Sequence, residues 1–329
     1  MLSRVAESIY WMARYVERAE NTARFIDVTL NQILDQPNRM APQWEPLVNT
    51  TGDHEFFEEH YEAPTAENVI RFLTTDTSYP NSIISSLRAA RENARTVRES
   101  ISSEAWEQLN EFYHYVNTAV KETPLVESSS EFFRNVKQYS HLFQGIMDAT
   151  LSRGAGWHFA NLGRMVERAD KTSRILDVKY FTLLPSPSDV GSPIDDLGWS
   201  AVLRSVSGLE MYRKRFRSMN IHRVVEFLVL DREFPRAVHF CLSAGDWSLH
   251  EITGSPIGAY RNSVERQLGS LKAELAYAEV DAIINSGLHE FIDGLQNKLN
   301  SIGGAIHDVF FAMRPVEPQG IWSQSQSQG

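Results

Sequence analysis

The dominant pattern along the chain is helical, because apolar residues recur at three- and four-residue spacing. The first such stretch covers residues 5–34 without an interrupting Gly or Pro. No stretch shows the alternation of apolar and polar residues that is typical of a half-buried strand. The pattern therefore predicts an all-α protein built as a multi-helix bundle.

Prolines and capping residues indicate where the predicted helices begin and end. Prolines follow the first helix, so residues 36–64 are predicted to be a long connection with one short helix near residues 53–60. Thr65 and Ser103 are good N-caps, and Pro80 fits a first helical turn. The other predicted helices cover residues 66–73, 81–100, 104–121, 131–150, 156–184, 197–219, 222–230, 235–243, 257–280 and 282–313.

One turn-rich segment, PSPSDVGSP at 185–193, is the predicted boundary between two parts of the chain. Residues 1–184 would form a helical bundle that carries the longest helices. Residues 194–315 would form a C-terminal helical portion packed on it. The low-complexity segment 316–329 is predicted to be a disordered tail.

A nine-residue stretch occurs twice, as VERAENTAR at 16–24 and as VERADKTSR at 166–174. At about 100° per residue, the charged side chains of each copy fall on one arc beside the apolar stripe. The arc consists of Glu17, Glu20, Arg24 and Asp27 in the first copy and of Glu167, Asp170, Arg174 and Asp177 in the second. The sequence therefore predicts long helices that are repeated within the chain.

A third helix has the same spacing but carries arginines, namely Arg88, Arg91, Arg95 and Arg98. Small residues beside the charged positions would let the three helices approach closely. We therefore predict that the three charged stripes line one polar seam, where arginine can bind carboxylates bidentately. Glu17 and Glu167 are the candidate catalytic residues of this seam, and the other residues of the stripes are candidate ligand-binding residues.

Composition narrows the possible classes of protein. The chain has 329 residues, a net charge of −10 and 42% hydrophobic residues, which supports a sizeable core and disfavours nucleic-acid binding. The single cysteine, Cys241, excludes an internal disulfide. No membrane span and no signal peptide are predicted, so a soluble cytoplasmic protein is expected.

Several familiar chemistries lack their sequence signatures. The repeated stretches contain no Glu-x-x-His motif of the kind that di-metal helical bundles use, so no metal site is predicted. The chain has no G-x-x-x-x-G-K-[ST] loop, no dinucleotide-binding glycine motif and no G-x-S-x-G elbow. We expect no cofactor to be bound by this chain itself.

The two Glu-Arg stretches, together with RENARTVRESIS at 91–102 and EAWEQLN at 104–110, resemble the bacterial alpha-E family. This is a helical domain of unknown mechanism, typically encoded beside or fused to a circularly permuted ATP-grasp ligase, often with a transglutaminase-like peptidase nearby. The likeness extends from residue 1 to about residue 313. The resemblance implies marked positions at Glu17, Arg18, Arg91, Glu92, Arg95, Glu167 and Arg168.

The resemblance implies an accessory or partner protein of an ATP-grasp-type ligase in the formation or modification of peptide or amide bonds. The ligase would act in trans and bring ATP and magnesium, and the peptidase would be a further partner. Two alternatives stay open. The chain could be a stand-alone acid/base enzyme for a peptide or amide substrate, or its charged stripes could form a purely structural network or a solvated face.

Overall fold

A computed structural model describes residues 1–35, 44–122, 125–181 and 191–312. These residues contain fifteen α-helices and no β-strand, so the all-α prediction is confirmed. The helices are α1 (Ser3–Asp35), α2 (Glu45–Thr51), α3 (His54–His60), α4 (Ala66–Thr74), α5 (Ile83–Thr96), α6 (Ser103–Glu122), α7 (Leu125–Thr150), α8 (Ala155–Phe181), α9 (Pro193–Ser205), α10 (Leu209–Arg215), α11 (Ile221–Val225), α12 (Val238–Thr253), α13 (Ser263–Ala276), α14 (Val280–Asn285) and α15 (Leu288–Ile306).

The long helices were predicted well, whereas the short ones were partly missed or merged. Helix α2 was missed, and it ends at Gly52, whose φ of 77° is left-handed. The predicted helix 197–219 is two helices, since Ser207 has a φ of 54° between α9 and α10. The predicted helix 282–313 is divided in the same way by Gly287. Helix α5 begins at Ile83, because the Ser82 side chain caps it by accepting from the Ser85 N–H.

Helices α1 and α8 form the centre of the fold and run parallel. Hydrogen bonds between their side chains join residues that are 149 to 153 positions apart, as from Arg18 to Glu167 and from Arg14 to Glu167. Helices α5 and α9 contact α1, and α12 contacts α8. Helix α7 also contacts α1.

The buried apolar residues form one cluster that includes residues of both predicted parts of the chain. The division into 1–184 and 194–315 stays a prediction, because residues 182–190 of the boundary lie outside the described residues. The predicted tail, 316–329, lies outside them as well. Within the described ranges, no helix is both long enough and apolar enough to cross a membrane.

A glycine lets the two central helices approach each other. A Cβ atom at Gly163 of α8 would lie only 2.6 Å from the carbonyl oxygen of Tyr10 in α1. That oxygen belongs to the backbone of a buried helix, so neither helix can move away without a cost in free energy. The contact between α1 and α8 therefore requires the absence of a side chain at position 163.

We expect Gly163→Ala to lower the free energy of unfolding by about 1–3 kcal/mol, because it overpacks the contact between the helices. Gly145→Ala in α7 is the matched control, since a Cβ there meets no atom within 4 Å. The control should be stabilised by about 0.5–1 kcal/mol, because alanine restricts the unfolded chain more than glycine does. Urea unfolding of both variants measures the difference, and equal effects would contradict the close-approach argument.

Candidate functional site

The two Glu-Arg motifs face each other across the contact between α1 and α8 and exchange partners. Arg168 binds Glu17 through two hydrogen bonds, Nε to Oε1 and Nη2 to Oε2, each 2.8 Å long. Arg18 binds Glu167 in the same way, at 2.7 Å from Nε to Oε1 and 3.1 Å from Nη2 to Oε2. Both carboxylates are 0% exposed. We call these two ion pairs the reciprocal pairs.

Further donors surround each carboxylate of the reciprocal pairs. Arg14 donates to Glu167 Oε2 from Nε at 2.8 Å. Glu17 accepts from Asn21 at 2.8 Å, from Gln144 of α7 at 3.0 Å and from Arg236 at 3.3 Å. A buried carboxylate is stable only when such donors replace its hydration, and here several donors replace it.

Glu20 and Arg24 extend this network toward α7 and α9. Glu20 accepts from Arg24 at 2.8 Å and also pairs with Arg236. It accepts from the Ser140 hydroxyl of α7 at 2.6 Å. Arg24 in turn donates to the carbonyl oxygen of Ser205 at 2.6 Å, so it satisfies an unpaired carbonyl at the C-terminal end of α9.

Asp170 and Arg174 form the corresponding pair in α8. Arg174 donates from Nε to Asp170 at 3.1 Å. Its Nη1 donates to the carbonyl oxygens of Thr50 and Thr51, at the C-terminal end of α2. In both α1 and α8, one arginine therefore binds an acidic residue one turn earlier. The same arginine binds carbonyl oxygens at the C-terminal end of a neighbouring helix, α9 or α2.

The remaining acidic residues of the two stripes lie at the edge of the network. Asp27 pairs with Lys137 of α7. Asp177 accepts from His289 of α15 at 2.9 Å, and burial raises the pKa of this carboxyl. The two acidic stripes therefore turn inward as predicted, but each contacts different neighbours along its length.

The prediction of a seam shared by three helices is wrong for the arginine stripe of α5. Helix α5 packs against α1, and its apolar residues Leu87, Ala90 and Ala94 are fully buried. The arginines lie beyond this stripe on the outer surface: Arg88, Arg95 and Arg98 are exposed, and Arg91 is partly exposed. The apolar residues decide the orientation of α5. Burying their surface stabilises the fold by more free energy than ion pairs of the arginines would contribute.

The exposed arginines make local contacts only. Arg91 donates to the Asn110 side chain at 2.7 Å, and Arg95 pairs with Glu92. The Arg98 guanidinium lies 5.0 Å from the centre of the Trp106 ring. None of these contacts links α5 to the reciprocal pairs.

The network includes residues that the sequence analysis did not single out. They include Arg14, Asn21, Ser140, His141, Gln144, Lys171 and Arg236. Arg14 could have been found, because it lies one helical turn before Glu17 and Arg18 on the same face. Arg236 could not, since only the tertiary structure brings the segment before α12 to α1.

A third Val-Glu-Arg sequence, at 264–266, takes no part in the network. Glu265 lies in the first turn of α13 and accepts from the Thr253 hydroxyl at 2.5 Å, while Arg266 is exposed. The tripeptide by itself is therefore not sufficient for a reciprocal pair, which needs a parallel partner helix in register.

The carboxylates of the network are held in the ionised form. Burial alone would raise the pKa of Glu167, but Arg18 and Arg14 outweigh it and lower this pKa well below its usual range. The pKa of Glu17 is lowered in the same manner by Arg168 and Arg236. Such groups have no proton to donate near neutral pH, and they accept one only reluctantly.

A small polar pocket lies beside Arg18, with about 300 Å³ of unfilled space that includes some open solvent. Lys171 and Asp53 also line it, as do the polar side chains of Tyr79 and Asn81. Burial lowers the pKa of Lys171. Arg18 donates to Asn81 at 2.7 Å, so this pocket is connected to the reciprocal pairs. Within the described part of the chain, no group of three or more His, Cys, Asp or Glu residues is arranged to hold a metal ion.

These features define an all-helical protein whose two central, parallel helices are joined by reciprocally paired Glu-Arg motifs. The chain belongs to the Alpha-E family, described as a predicted alpha-helical domain with a conserved ER motif, whose family model matches residues 1–311. No solved structure matches the chain significantly.

Three relatives are mycobacterial proteins described as uncharacterised, one from Mycobacterium bovis and two from strains of Mycobacterium tuberculosis. Each is 22% identical to this chain over 353 aligned residues that include 98% of the chain. The chain spans only 38% of the length of these relatives. More than half of each relative therefore lies outside the matched part.

Removing one member of a reciprocal pair should be costly. We expect Glu17→Gln and Glu167→Gln each to lower the free energy of unfolding by about 3–5 kcal/mol, because buried or largely buried arginines lose the counter-charge of a fully buried carboxylate. Glu92→Gln is the control, since its partner Arg95 is exposed and its partner Arg91 is partly exposed, so the change should cost about 1 kcal/mol or less. Chemical unfolding measures all three, and a loss for Glu17→Gln as small as that of the control would contradict the role given to the pair.

The network should also make the free energy of unfolding depend on pH. The pKa values of Glu17, Glu20 and Glu167 are lowered from 4.5 in the folded chain, so the unfolded chain binds more protons in acid. The stabilisation is therefore complete above about pH 5 and is lost as the pH falls through the folded pKa values. The free energy of unfolding, measured from pH 7 to pH 3, should decline less steeply for Glu167→Gln than for the wild type. Parallel pH dependence of the two proteins would count against this assignment.

Proposed function

We propose that this protein is an accessory partner of an ATP-grasp-type ligase that forms or modifies peptide or amide bonds. ATP and magnesium would be bound by the ligase, and this chain would supply a rigid helical surface. A transglutaminase-like peptidase is a further candidate partner. The family membership and the sequence resemblance support this proposal, and the length of the relatives is compatible with it.

One observation favours an accessory role over catalysis by this chain: both conspicuous carboxylates, Glu17 and Glu167, are fully buried and bound bidentately by arginine. A catalytic acid or base must come within hydrogen-bonding distance of the group whose proton it transfers. These carboxylates have their oxygens occupied by protein donors of the described residues. A structural role for the reciprocal pairs is therefore favoured over the alternative of a stand-alone acid/base enzyme.

The arginine stripe of α5 is the surface that we propose for the partner. The chain carries a net charge of −10, yet Arg88 and Arg95 of α5 are exposed and Arg91 is partly exposed, and Arg98 is exposed in the 3-10 turn that directly follows α5. Such a patch would attract an acidic surface and speed the encounter. Arginine is also the charged residue most often found in the energetic centre of interfaces.

The length of the relatives also supports an arrangement in which the partner is a further domain of the same polypeptide. More than half of each mycobacterial relative lies outside the matched part, which leaves room for further domains. A partner domain joined to this one would have a high effective concentration, whereas a separate partner needs an interface of its own.

The test is co-expression of the tagged chain with the circularly permuted ATP-grasp protein encoded in the same genome. We expect the two to purify together and the ATP-dependent product, detected by mass spectrometry, to require both. Arg88→Glu with Arg95→Glu should weaken binding at least tenfold and reduce its dependence on salt. The control is Arg213→Glu with Lys214→Glu in α10, which makes the same change of charge on another exposed helix.

The same preparation distinguishes the alternative. Turnover of a peptide or amide by the isolated chain, abolished by Glu17→Gln in a folded sample, would overturn the accessory role. Equal loss of binding in the α10 control would show that overall charge, and not the α5 stripe, governs the association.

A further inference from the structure

The described helices of the second half follow the order of those in the first half. The segment VIRFLTTDTSYPNSI at 69–83 corresponds to VVEFLVLDREFPRAV at 224–238, with Val, Phe, Leu, Asp and Pro at the same places. Helix α5 therefore corresponds to α12, just as α1 corresponds to α8 through the repeated Glu-Arg stretches. Since α1 packs against α5 and α8 against α12, the two helix pairs can be compared.

In the second half, side chains close the space where the beginning of α8 passes the end of α12. The ring centre of Trp247 lies 5.9 Å from that of Trp157 and 5.0 Å from that of His158. Asn161 donates to the hydroxyl of Ser248 at 2.8 Å. The two helices are therefore joined there by direct contacts of aromatic and polar side chains.

In the first half, the corresponding residues leave a groove. The three aromatic positions of the second half correspond to Glu7, Ser8 and Glu92. One hydrogen bond crosses the space, from the Thr96 hydroxyl to Ser8 at 3.2 Å. Beside it, α1 and α5 leave about 540 Å³ of space that water-sized groups can occupy. We call this space the α1–α5 groove, and its volume is in the range that holds large organic groups.

An aromatic pair forms one wall of the α1–α5 groove. Trp11 and Tyr15 stack with their ring centres 5.4 Å apart, and both are partly exposed. The guanidinium groups of Arg14 and Arg18 lie 4.8 Å and 5.3 Å from these two rings. Both arginines also bind Glu167, so the rings rest on side chains that are fixed in place. A preformed aromatic surface of this kind favours an occupant with a large apolar side chain.

The described residues end beside this groove. His307 Nδ1 lies 3.9 Å from the carboxylate of Glu7, which lines the groove, and the Phe311 ring centre lies 5.4 Å from that of Tyr10. The groove extends from residue 4 to residue 15 of α1, which is about 16 Å at the rise of a helix. An extended segment spans up to about 3.3 Å per residue, so residue 321 can be as far as about 30 Å from residue 312. Residues near 321 can therefore reach every part of the groove.

The sequence of the segment 313–329 matches the groove in chemistry. In MRPVEPQGIWSQSQSQG, the adjacent residues Ile321 and Trp322 stand among Gln, Ser and Gly. The segment carries one Arg and one Glu, as the rim of the groove does with Arg4 and Glu7, so neither adds a net charge to the other. Attachment close to the groove raises the effective concentration of the segment there, which offsets part of the entropy lost on binding.

We propose that the segment 313–329 docks in the α1–α5 groove through Ile321 and Trp322, with the Trp322 indole packed against Trp11 and Tyr15. This tryptophan would do between α1 and α5 what Trp247 does between α8 and α12. The contact would cover an aromatic surface of α1 with a segment of the same chain. It does not depend on the proposed partnership with a ligase.

The test is disulfide trapping in the full chain that carries Thr96→Cys with Ile321→Cys. Thr96 is exposed and lines the groove, and burial raises the pKa of the native Cys241 thiol to about 12, so that thiol does not compete. Mild oxidation followed by peptide mapping should give a disulfide within one chain. The control is Ser301→Cys with Ile321→Cys, because Ser301 is exposed on α15 and is nearer to residue 321 along the chain.

We expect the control pair to form its disulfide about tenfold more slowly than the groove pair, because a docked segment is held away from α15. Equal rates for the two pairs would overturn the proposal, since a freely moving segment reaches both positions. Disulfide-linked dimers whose yield rises with protein concentration would also overturn it, because the segment would then come from a second copy.

Two further variants test the role of the indole in the groove pair. Trp322→Ala should slow trapping about tenfold, since it removes the largest apolar side chain of the segment. Trp322→Phe is the matched control and should retain most of the trapping rate, because it keeps an aromatic ring. Unchanged trapping with Trp322→Ala would show that attachment alone brings the segment to the groove and would contradict the proposal.

Discussion

The fold depends on two buried ion pairs that join its central helices, Glu17 with Arg168 and Arg18 with Glu167. Each is a bidentate contact of a planar guanidinium with a fully buried carboxylate, although the Arg18 side chain is itself partly exposed. Because each motif supplies one acid and one base, a shift of α1 against α8 by one residue would break both contacts at once. The pairs therefore fix the register of two parallel helices that apolar packing alone would leave less defined.

Burial of these charges is favourable only because the network is nearly complete. Glu20 and Asp170 bind Arg24 and Arg174, and these arginines also satisfy the C-terminal carbonyls of α9 and α2. The same interactions that hold the charges thus attach short helices to the long ones. Such a network contributes specificity of structure more than net stability, since replacing ion pairs by well-packed apolar residues is often neutral. It leaves the inner carboxylates poorly suited to acid or base chemistry.

Function is then expected outside the network, on the surface of the fold. The outer face of α5 carries arginines whose ion pairs, among the described residues, are with Glu92 of the same helix. Another flank of α5 borders the α1–α5 groove, where the aromatic pair of Trp11 and Tyr15 is partly exposed.

The sequence by itself determined the helical class, the long helices and the two inward-facing acidic stripes, because helical periodicity and repeated charge spacing are local properties. It could not decide which neighbour each stripe meets. The spacing of Arg88, Arg91, Arg95 and Arg98 matches that of the acidic stripes, yet α5 turns its alanines to α1 and its arginines outward. Likewise Val264-Glu265-Arg266 repeats the motif without its partner. Only the tertiary structure, which places Arg236 and Gln144 beside Glu17, decides whether a charge is buried and paired.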